Sequence, residues 1–265
     1  MTRLVARLGF PTGLHQQAAE LAGHFFSARA EVDTVLVVNS CARGLATSDS
    51  DVDLAVLVNP DASLETIQGL EAAWQALKTE HPLIRQFQAA GRFTQVHLDV
   101  FDGRFAPPVW DDGGGPDTFE VEIGNRIAYA APLDVPGPYF RELQARWLPY
   151  YDNDLRQRRL AIVREACVYD LDHVPFLLRR GLCFQAFDRL YKAFQEFLQV
   201  LFVARQTYPL AYNKWIREQV AGRLGLSDLY RELPPIIAVR DIESGELSAK
   251  ADALRALLER WVPPG

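Results

Sequence analysis

The sequence is poor in cysteine and lacks any long apolar run. Its three cysteines, Cys41, Cys167 and Cys183, form no C-x-x-C pair, and no histidine stands at zinc spacing from them. This argues against a disulfide framework and against a zinc site. No apolar run approaches the roughly 20 residues that span a bilayer, and the first residues do not resemble a signal peptide. We therefore expect a cytoplasmic protein with no membrane partner.

Positive charge is also scarce, since 28 Lys and Arg face 34 Asp and Glu, for a net charge of -6. Such a balance disfavours a protein that coats a polyanion, so nucleic acid is not the expected partner. Hydrophobic residues make up 49% and charged residues 23%, which is typical of globular domains. A chain of 265 residues is long enough to form two such domains.

The first half of the chain alternates between helical and strand patterns. We predict a helix over residues 14 to 29, a strand over 34 to 38, a strand over 51 to 58, a helix over 62 to 79, a strand over 93 to 101 and a short strand over 119 to 125. These elements indicate a small mixed sheet flanked by helices.

The second half carries long helical periods and no convincing strand. Its strongest helix has an apolar stripe between Phe187 and Phe202 with charged residues opposite. The change of pattern follows Pro136-Gly137-Pro138, so we place the domains at residues 1–137 and 138–265. The predicted fold class is α/β (α+β): a small mixed sheet followed by an all-α helical bundle.

Two carboxylates at the start of the second predicted strand are the main chemical signal. Asp51 and Asp53 are two residues apart, so both point to one face of the sheet, about 6.6 Å from each other. Asp99 lies on the corresponding face of a later strand. Phosphoryl transfer needs a divalent ion on the phosphate oxygens, and hard oxygen ligands suit Mg²⁺. Asp51, Asp53 and Asp99 are therefore the predicted catalytic metal ligands.

The loop before this strand supplies a second signal. Ser40 and the backbone N–H groups near it can hold a terminal phosphate, while Arg43 adds positive charge and Gly44 permits close approach. The loop is neither a P-loop nor a Rossmann turn, because neither glycine pattern is present.

Together these residues resemble a known family. The string is Ser40-x-Ala42-Arg43-Gly44-x-Ala46-x-x-x-Ser50-Asp51-x-Asp53-Leu54. It is similar to the signature of the DNA polymerase β-like nucleotidyltransferase superfamily, which includes aminoglycoside and lincosamide nucleotidyltransferases. The resemblance covers about residues 34 to 102, with a looser similarity in the helical half. Asn39 stands where the family usually has glycine, and asparagine tolerates a left-handed backbone.

The resemblance implies an enzyme that uses Mg²⁺, or Mn²⁺, to move a nucleoside monophosphate from a nucleoside triphosphate to an acceptor. We expect ATP as donor and a hydroxyl or amine of a small molecule as acceptor, and no oligomeric state is predicted. Three alternatives stay open: nucleotidylation of a protein or an RNA end, a catalytically degenerate nucleotide-binding relative, and a chance motif in an unrelated protein. The second alternative is suggested by Asn39, which replaces the usual glycine.

Further candidates complete the predicted site. Glu120 and Glu122 alternate on the last short strand, and we choose Glu122 as a general base near the acceptor. Lys214, in the helical half, is predicted to contact the β- and γ-phosphates. His97 shares the face of the aspartates, but a histidine in a half-buried strand is usually structural, and we interpret it so. The predicted nucleotide-binding residues are Asn39, Ser40, Arg43, Gly44 and Lys214.

Overall fold

The computed structural model describes residues 8–263. Of these residues, the first compact unit contains those up to Phe105 together with Glu122–Pro149, and the second contains Ala106–Val121 together with those from Tyr150 onward. Within the described residues, no helix has both the length and the apolarity needed to cross a membrane.

The first unit is built on a four-stranded sheet. Its strands are β1 (Val32–Val37), β2 (Val52–Val58), β3 (Val96–Phe101) and β4 (Ala131–Pro132). They lie in the order β3-β2-β1-β4, with β2 and β3 parallel and the other two pairs antiparallel. The predicted small mixed sheet is therefore confirmed.

Three longer helices cover one face of this sheet. They are α1 (Gly13–Ser27), α3 (Leu64–Glu80) and α4 (Pro82–Ala90), and a single turn, α2 (Asn39–Ala42), lies between β1 and β2. The Oγ1 atom of Thr12 accepts the backbone N–H of His15 and caps α1. Phe26, Trp74 and Phe87 from the three helices are buried with the valines and leucines that alternate along the strands. The helices predicted over residues 14 to 29 and 62 to 79 are confirmed.

The predicted strand over residues 119 to 125 is wrong. Its residues form α5 (Phe119–Ile123) and continue as a π-helical segment, Gly124–Ala128. Phe119, Ile123 and Ile127 are buried and recur at intervals of four, which is a helical period. The strand was predicted because Glu120 and Glu122 are two residues apart, which matches the period of a strand.

Helix α6 (Pro138–Trp147) belongs to the first unit. The carboxylate of Asp33 in β1 accepts the backbone N–H groups of Tyr139 and Phe140 at 2.9 and 3.0 Å, which satisfies donors at the N-terminus of the helix. The domain boundary predicted after residue 137 falls before this helix, whereas contacts between α6 and β1 hold the helix to the sheet.

The second unit contains helices joined by loops and no strand among its described residues, as predicted for this half of the chain. Its helices are α7 (Asn153–Leu178), α8 (Cys183–Ala204), α9 (Ser227–Ile237) and α10 (Glu246–Trp261), with a π-helical segment, Arg217–Arg223. The glycine-rich residues 106–117 also lie in this unit, where Trp110 packs edge-on against Tyr169 with ring centres 5.7 Å apart. The apolar stripe predicted from Phe187 to Phe202 lies on α8, the most buried helix of this core.

Candidate active site

Four polar side chains share one face of the sheet at β2 and β3. The parallel register pairs Asp53 with His97 and Ala55 with Asp99, and paired residues point to the same side. Asp51 precedes Asp53 by two residues and lies on this face as well. The intervening Val52 is fully buried on the opposite face. The alternation read from the sequence is therefore present in the structure.

Asp51 ties the two strands together at the start of their pairing. Its Oδ1 atom accepts the backbone N–H of Gln95 at 3.1 Å, and the N–H of Val52 donates to the Gln95 carbonyl at 2.9 Å. The other oxygen, Oδ2, lies 3.6 Å from Nε2 of His97, and 35% of the Asp51 side chain is exposed. One carboxylate oxygen is thus engaged by backbone while the other faces the open side of the sheet.

Asp99 has a different neighbour. Its Oδ2 atom lies 3.9 Å from Arg126, which belongs to the π-helical segment, and 77% of its side chain is exposed. The Arg126 guanidinium also lies 5.0 Å from the centre of the Phe101 ring. This arrangement gives Asp99 a cation from the chain itself.

The predicted convergence of Asp51, Asp53 and Asp99 is not present in the structure. Across residues 8–263, no three acidic, histidine or cysteine side chains gather closely enough to hold a metal ion. In the parallel register Asp99 is paired with Ala55 rather than with Asp53, and its carboxylate faces Arg126. The metal role of the three residues stays a prediction.

The turn between β1 and β2 holds the predicted phosphate-binding residues. Asn39 opens it with a φ of 56° and Gly44 closes it with a φ of 66°, both in the left-handed region. The carbonyl of Ser40 accepts the N–H groups of Arg43 and Leu45 at 3.2 and 3.0 Å. Asparagine thus supplies the left-handed conformation at the position where the resembling family has glycine.

Two contacts join this turn to the aspartates. The N–H of Val38 donates to the Asp53 carbonyl at 3.0 Å, and the thiol of Cys41 donates to the Asp51 carbonyl at 3.7 Å. Burial, followed by the negative charge of Asp53, raises the pKa of the Cys41 thiol to about 11. Cys41 is therefore a neutral packing residue beneath the site, a role that the sequence did not indicate.

His15 is a second residue that the sequence did not single out. It is 1% exposed, its Nδ1 lies 2.7 Å from Oγ1 of Thr12, and its Nε2 lies 2.9 Å from the carbonyl oxygen of Ser50. Since Ser50 precedes Asp51, this contact anchors the entry to β2 on helix α1. The spacing of Thr12 and His15 is the only local signal, because Ser50 is 35 residues away.

The model of the nucleotidyltransferase domain family matches residues 24–101 of this chain, from helix α1 to the end of β3. Residues 24–101 form a nucleotidyltransferase domain of the DNA polymerase β-like superfamily. The resemblance seen in the sequence is confirmed. A nucleotidyltransferase-like protein from Exiguobacterium sibiricum 255-15, solved at 1.90 Å, is similar over 94% of this chain and 75% of its own, with a TM-score of 0.41 and 13% identity. No curated protein matches this chain.

Members of this superfamily typically use a divalent metal ion, and the side chains at the nucleotidyltransferase motif fit one. Asp51 and Asp53 offer hard carboxylate oxygens from one sheet face, and the backbone N–H of Gln95 engages Oδ1 of Asp51. The Oδ2 atom of this partly exposed side chain lies 3.6 Å from Nε2 of His97.

Two further predicted residues, Glu122 and Lys214, do not lie on the strands of the sheet. Glu122 lies on helix α5 rather than on a strand, four residues before Arg126 and therefore on the same side of this helical run. Lys214 belongs to the second unit, where its ammonium lies 4.5 Å from the centre of the Trp215 ring. Their catalytic and phosphate-binding roles stay predictions.

Glu120, which was not predicted to be the general base, is fully buried and belongs to the second unit. Its carboxylate accepts from Arg159 at 2.8 Å, from Tyr151 at 2.9 Å and from Gln199 at 2.9 Å, and Arg159 also reaches Asp117. Arg159 is 39 residues from Glu120 in the chain, so no local pattern indicates the pair.

Proposed function

We propose that the nucleotidyltransferase domain transfers a nucleoside monophosphate from a nucleoside triphosphate, with ATP as the expected donor, to a hydroxyl or amine of a small molecule. The observation that carries the proposal is the direct bonding of the turn to the backbone of the two motif aspartates. Val38 and Cys41 of the turn bond to the carbonyls of Asp53 and Asp51. A triphosphate bound by the turn would therefore lie beside both carboxylates.

In the proposed reaction, the acceptor oxygen or nitrogen forms a bond to the α-phosphorus. The bond from the α-phosphorus to the oxygen that bridges to the β-phosphorus breaks, and pyrophosphate leaves with the electron pair. The proton of the acceptor passes to a carboxylate, for which Glu122 is the candidate. Arg126, on the same side of that helical run, lies 3.9 Å from Asp99, which supports a position near the reacting face.

Each remaining group has a proposed task in positioning the donor. Ser40 and the backbone N–H groups of the turn bind phosphate oxygens, and Arg43 contributes charge. Asp51 and Asp53 hold Mg²⁺ or Mn²⁺, which when bound neutralises negative charge on the phosphates. Fixed charges of this kind supply most of the rate in phosphoryl transfer.

Two features favour a working enzyme with a small acceptor over the alternatives. The left-handed φ of 56° at Asn39 shows that this residue keeps the turn that glycine would make, which supports function over degeneracy. The net charge of -6 weakens the case for an RNA end as acceptor.

The first test is nucleotide binding. We would measure binding of each of the four nucleoside triphosphates by calorimetry, with and without Mg²⁺, for the wild type and for the Asp51→Asn/Asp53→Asn double variant. Asp61→Asn, at an exposed turn after β2, is the matched control. We expect metal-dependent binding that weakens at least about tenfold in the double variant and not in the control. Absence of metal-dependent binding by the wild type would contradict the proposal.

The second test identifies the acceptor class. The protein is incubated with a triphosphate labelled at the α-phosphorus and with panels of hydroxylated and amine-bearing small molecules, and label is followed in small molecules, protein and RNA. Label in a small molecule, with release of pyrophosphate, supports the proposal. Label that appears only in protein or RNA would favour the corresponding alternative.

A further inference from the structure

The connection between α7 and α8 exposes large apolar side chains at the end of the two longest helices of the second unit. Phe176, in the last turn of α7, is 43% exposed, Leu182 is 38% exposed, and Phe184, in the first turn of α8, is 74% exposed. We call residues 176–184 the hairpin tip. Exposed apolar residues that occur singly need no explanation, whereas a group of them marks an interaction surface.

Two arginines give the hairpin tip positive charge. Arg179 and Arg180 are both exposed, and the Arg180 guanidinium lies 5.4 Å from the centre of the Phe176 ring. Residues 173–187 contain no aspartate or glutamate. Neither guanidinium forms an ion pair with any of the residues that the structure describes. The tip therefore combines apolar surface with unneutralised positive charge, although the whole chain has a net charge of -6.

The acids that flank this stretch in the chain are already paired elsewhere. Asp172 lies 2.7 Å from Arg255 of α10, and Asp188 lies 2.9 Å from Lys192, one turn further along α8. Their charges are therefore neutralised by other cations rather than by the two arginines of the tip. Negative charge opposite these arginines has to come from a binding partner.

The size and shape of the hairpin tip favour a lipid surface over a folded protein. At about 200 Å² for a phenylalanine side chain, the exposed fractions correspond to roughly 300 Å² of apolar surface. A stable protein interface needs about 800 Å² on each partner. The chain turns at Gly181, where φ is 71° and an added Cβ atom would have no neighbour within 4 Å. This open turn forms no groove for a protein segment.

From these observations we propose that the hairpin tip binds the surface of a membrane that contains anionic lipids. The three apolar side chains would enter the boundary between headgroups and acyl chains, and the two guanidinium groups would contact the negatively charged headgroups. The proposal goes beyond nucleotidyl transfer and does not depend on it. It departs from the expectation of no membrane partner, which rested on the lack of a spanning run, because surface binding needs no such run.

The test is co-sedimentation of the full chain with lipid vesicles. One set is made of phosphatidylcholine alone, and the other of equal parts of phosphatidylcholine and phosphatidylglycerol. We expect the wild type to bind the anionic vesicles at least about tenfold more tightly than the neutral ones, because each arginine near an anionic surface strengthens binding about fivefold. High salt should reduce this preference, since it screens exposed charges.

Variants separate the apolar contribution from the charged one. Phe184→Ser should weaken binding at least about tenfold, because an aromatic side chain no longer leaves water. The Arg179→Gln/Arg180→Gln double variant should weaken binding about 30-fold on anionic vesicles and little on neutral ones. Leu64→Ser in α3 and Arg231→Gln in α9 are the matched controls, since these side chains are 69% and 73% exposed, and both should bind as the wild type. Because all five residues are exposed, every variant should melt within about 2 °C of the wild type.

Cys183 provides a second readout within the hairpin tip. It is free and partly exposed, whereas Cys41 and Cys167 are buried, so an environment-sensitive fluorophore can be attached to it selectively. Anionic vesicles should move the emission of the labelled protein to shorter wavelength, as expected for a probe that leaves water. The shift should be absent with neutral vesicles and in the labelled Phe184→Ser variant.

Three results would overturn the proposal. The first is a wild-type protein that shows no preference for anionic vesicles, and the second is equal binding by the wild type and the tip variants. The third concerns a soluble acidic polymer, polyglutamate, as a stand-in for an acidic protein. If polyglutamate binds the wild type but not the arginine double variant, and vesicles bind neither, the tip is a docking surface for an acidic protein instead.

Discussion

The Oδ1 atom of Asp51 accepts the backbone N–H of Gln95 at 3.1 Å, across the seam between β2 and β3. A carboxylate of the nucleotidyltransferase motif is thus also part of the sheet. It extends the pairing of the two strands by one bond before the ladder begins at Val52 and Val96. Substitution at Asp51 therefore affects two properties, stability and chemistry, and suitable replacements separate them.

We predict that Asp51→Asn keeps stability and loses activity, whereas Asp51→Ala loses both. Asparagine retains an oxygen that accepts the Gln95 N–H, so its free energy of unfolding should match the wild type. Alanine removes the acceptor and should lower that free energy by about 1 kcal/mol. Both should reduce nucleotidyl transfer at least about 100-fold, because neither carries the charge. Urea denaturation and pyrophosphate release measure the two effects, and equal stability of both variants would argue against the seam bond.

Substitutions at Asn39 test the left-handed backbone conformation of the turn between β1 and β2. The φ of 56° at Asn39 favours glycine or asparagine, so Asn39→Gly should be as stable as the wild type within about 0.5 kcal/mol. Asn39→Val should cost about 1–2 kcal/mol, because a β-branched side chain is strained in this region. If the asparagine side chain crowds the triphosphate, Asn39→Gly also binds nucleotide more tightly. Thermal melts check stability, and a valine variant that melts with the wild type would show that the turn is not left-handed in solution.

The parts of the fold that the sequence predicts are those set by local periods. Val52, Leu54, Val56 and Val58 recur at every second position, as on one face of a strand, and the stripe from Phe187 to Phe202 recurs at helical spacing. Each element could therefore be predicted from its own residues. The turn motif is equally local. The helix that contains Glu122 was predicted as a strand because Glu120 and Glu122 are two residues apart, which is the period of a strand. Phe119 and Ile123, which are four residues apart, have the helical period.

The parts that the sequence does not predict depend on pairing between distant segments. The register that places His97 beside Asp53, and Asp99 one step further on, is set by how β3 docks on β2. The same holds for the contact of His15 with the Ser50 carbonyl. Candidate residues could therefore be named from the sequence, but their grouping required the tertiary structure.

The three thiols should differ in reactivity. Burial and neighbouring negative charge raise the pKa of Cys41 to about 11, and burial raises the pKa of Cys167 well above its usual range. Cys183 is free and partly exposed. We predict that iodoacetamide at pH 7.5 modifies Cys183 first, since the thiolate is the nucleophile. Peptide mass spectrometry measures the three rates, with urea-unfolded protein as the control in which all should react alike. Equally rapid labelling of Cys41 in the folded chain would contradict its buried position.

Glu196 should make stability depend on pH. Its side chain on α8 is 1% exposed, and its Oε2 atom has no hydrogen-bond partner. Burial, followed by the negative charge of Asp170, raises the pKa of Glu196 from 4.5 to about 8. The positive charges of Arg189 and Lys192 lower this pKa but do not cancel the effect of burial. The folded chain therefore retains a proton that the unfolded chain releases. Its stabilising contribution is complete below about pH 4.5, decreases as pH rises, and is lost above about pH 8.

Glu196→Gln tests this dependence, because glutamine has the same shape and does not ionise. The variant should melt close to the wild type at pH 5 and above it at pH 8.5, by on the order of 5 °C. Thermal melts at intervals of half a pH unit give the difference directly, and titrations shared by both proteins cancel. A constant difference across this range would mean that Glu196 is already ionised in the folded chain.

The buried pair of Arg159 and Glu120 should dominate the electrostatic contribution to the stability of the second unit. Their side chains are 2% and 0% exposed and lie 2.8 Å apart. Arg159→Leu would leave the Glu120 carboxylate buried without its cation, which typically costs about 3–5 kcal/mol. Arg231→Ala is the matched control, because its ion pair with Asp228 is exposed and should contribute less than about 1 kcal/mol. Urea denaturation of the two variants decides the point: if both lose similar stability, the Glu120 carboxylate is reached by water or by another donor once Arg159 is removed.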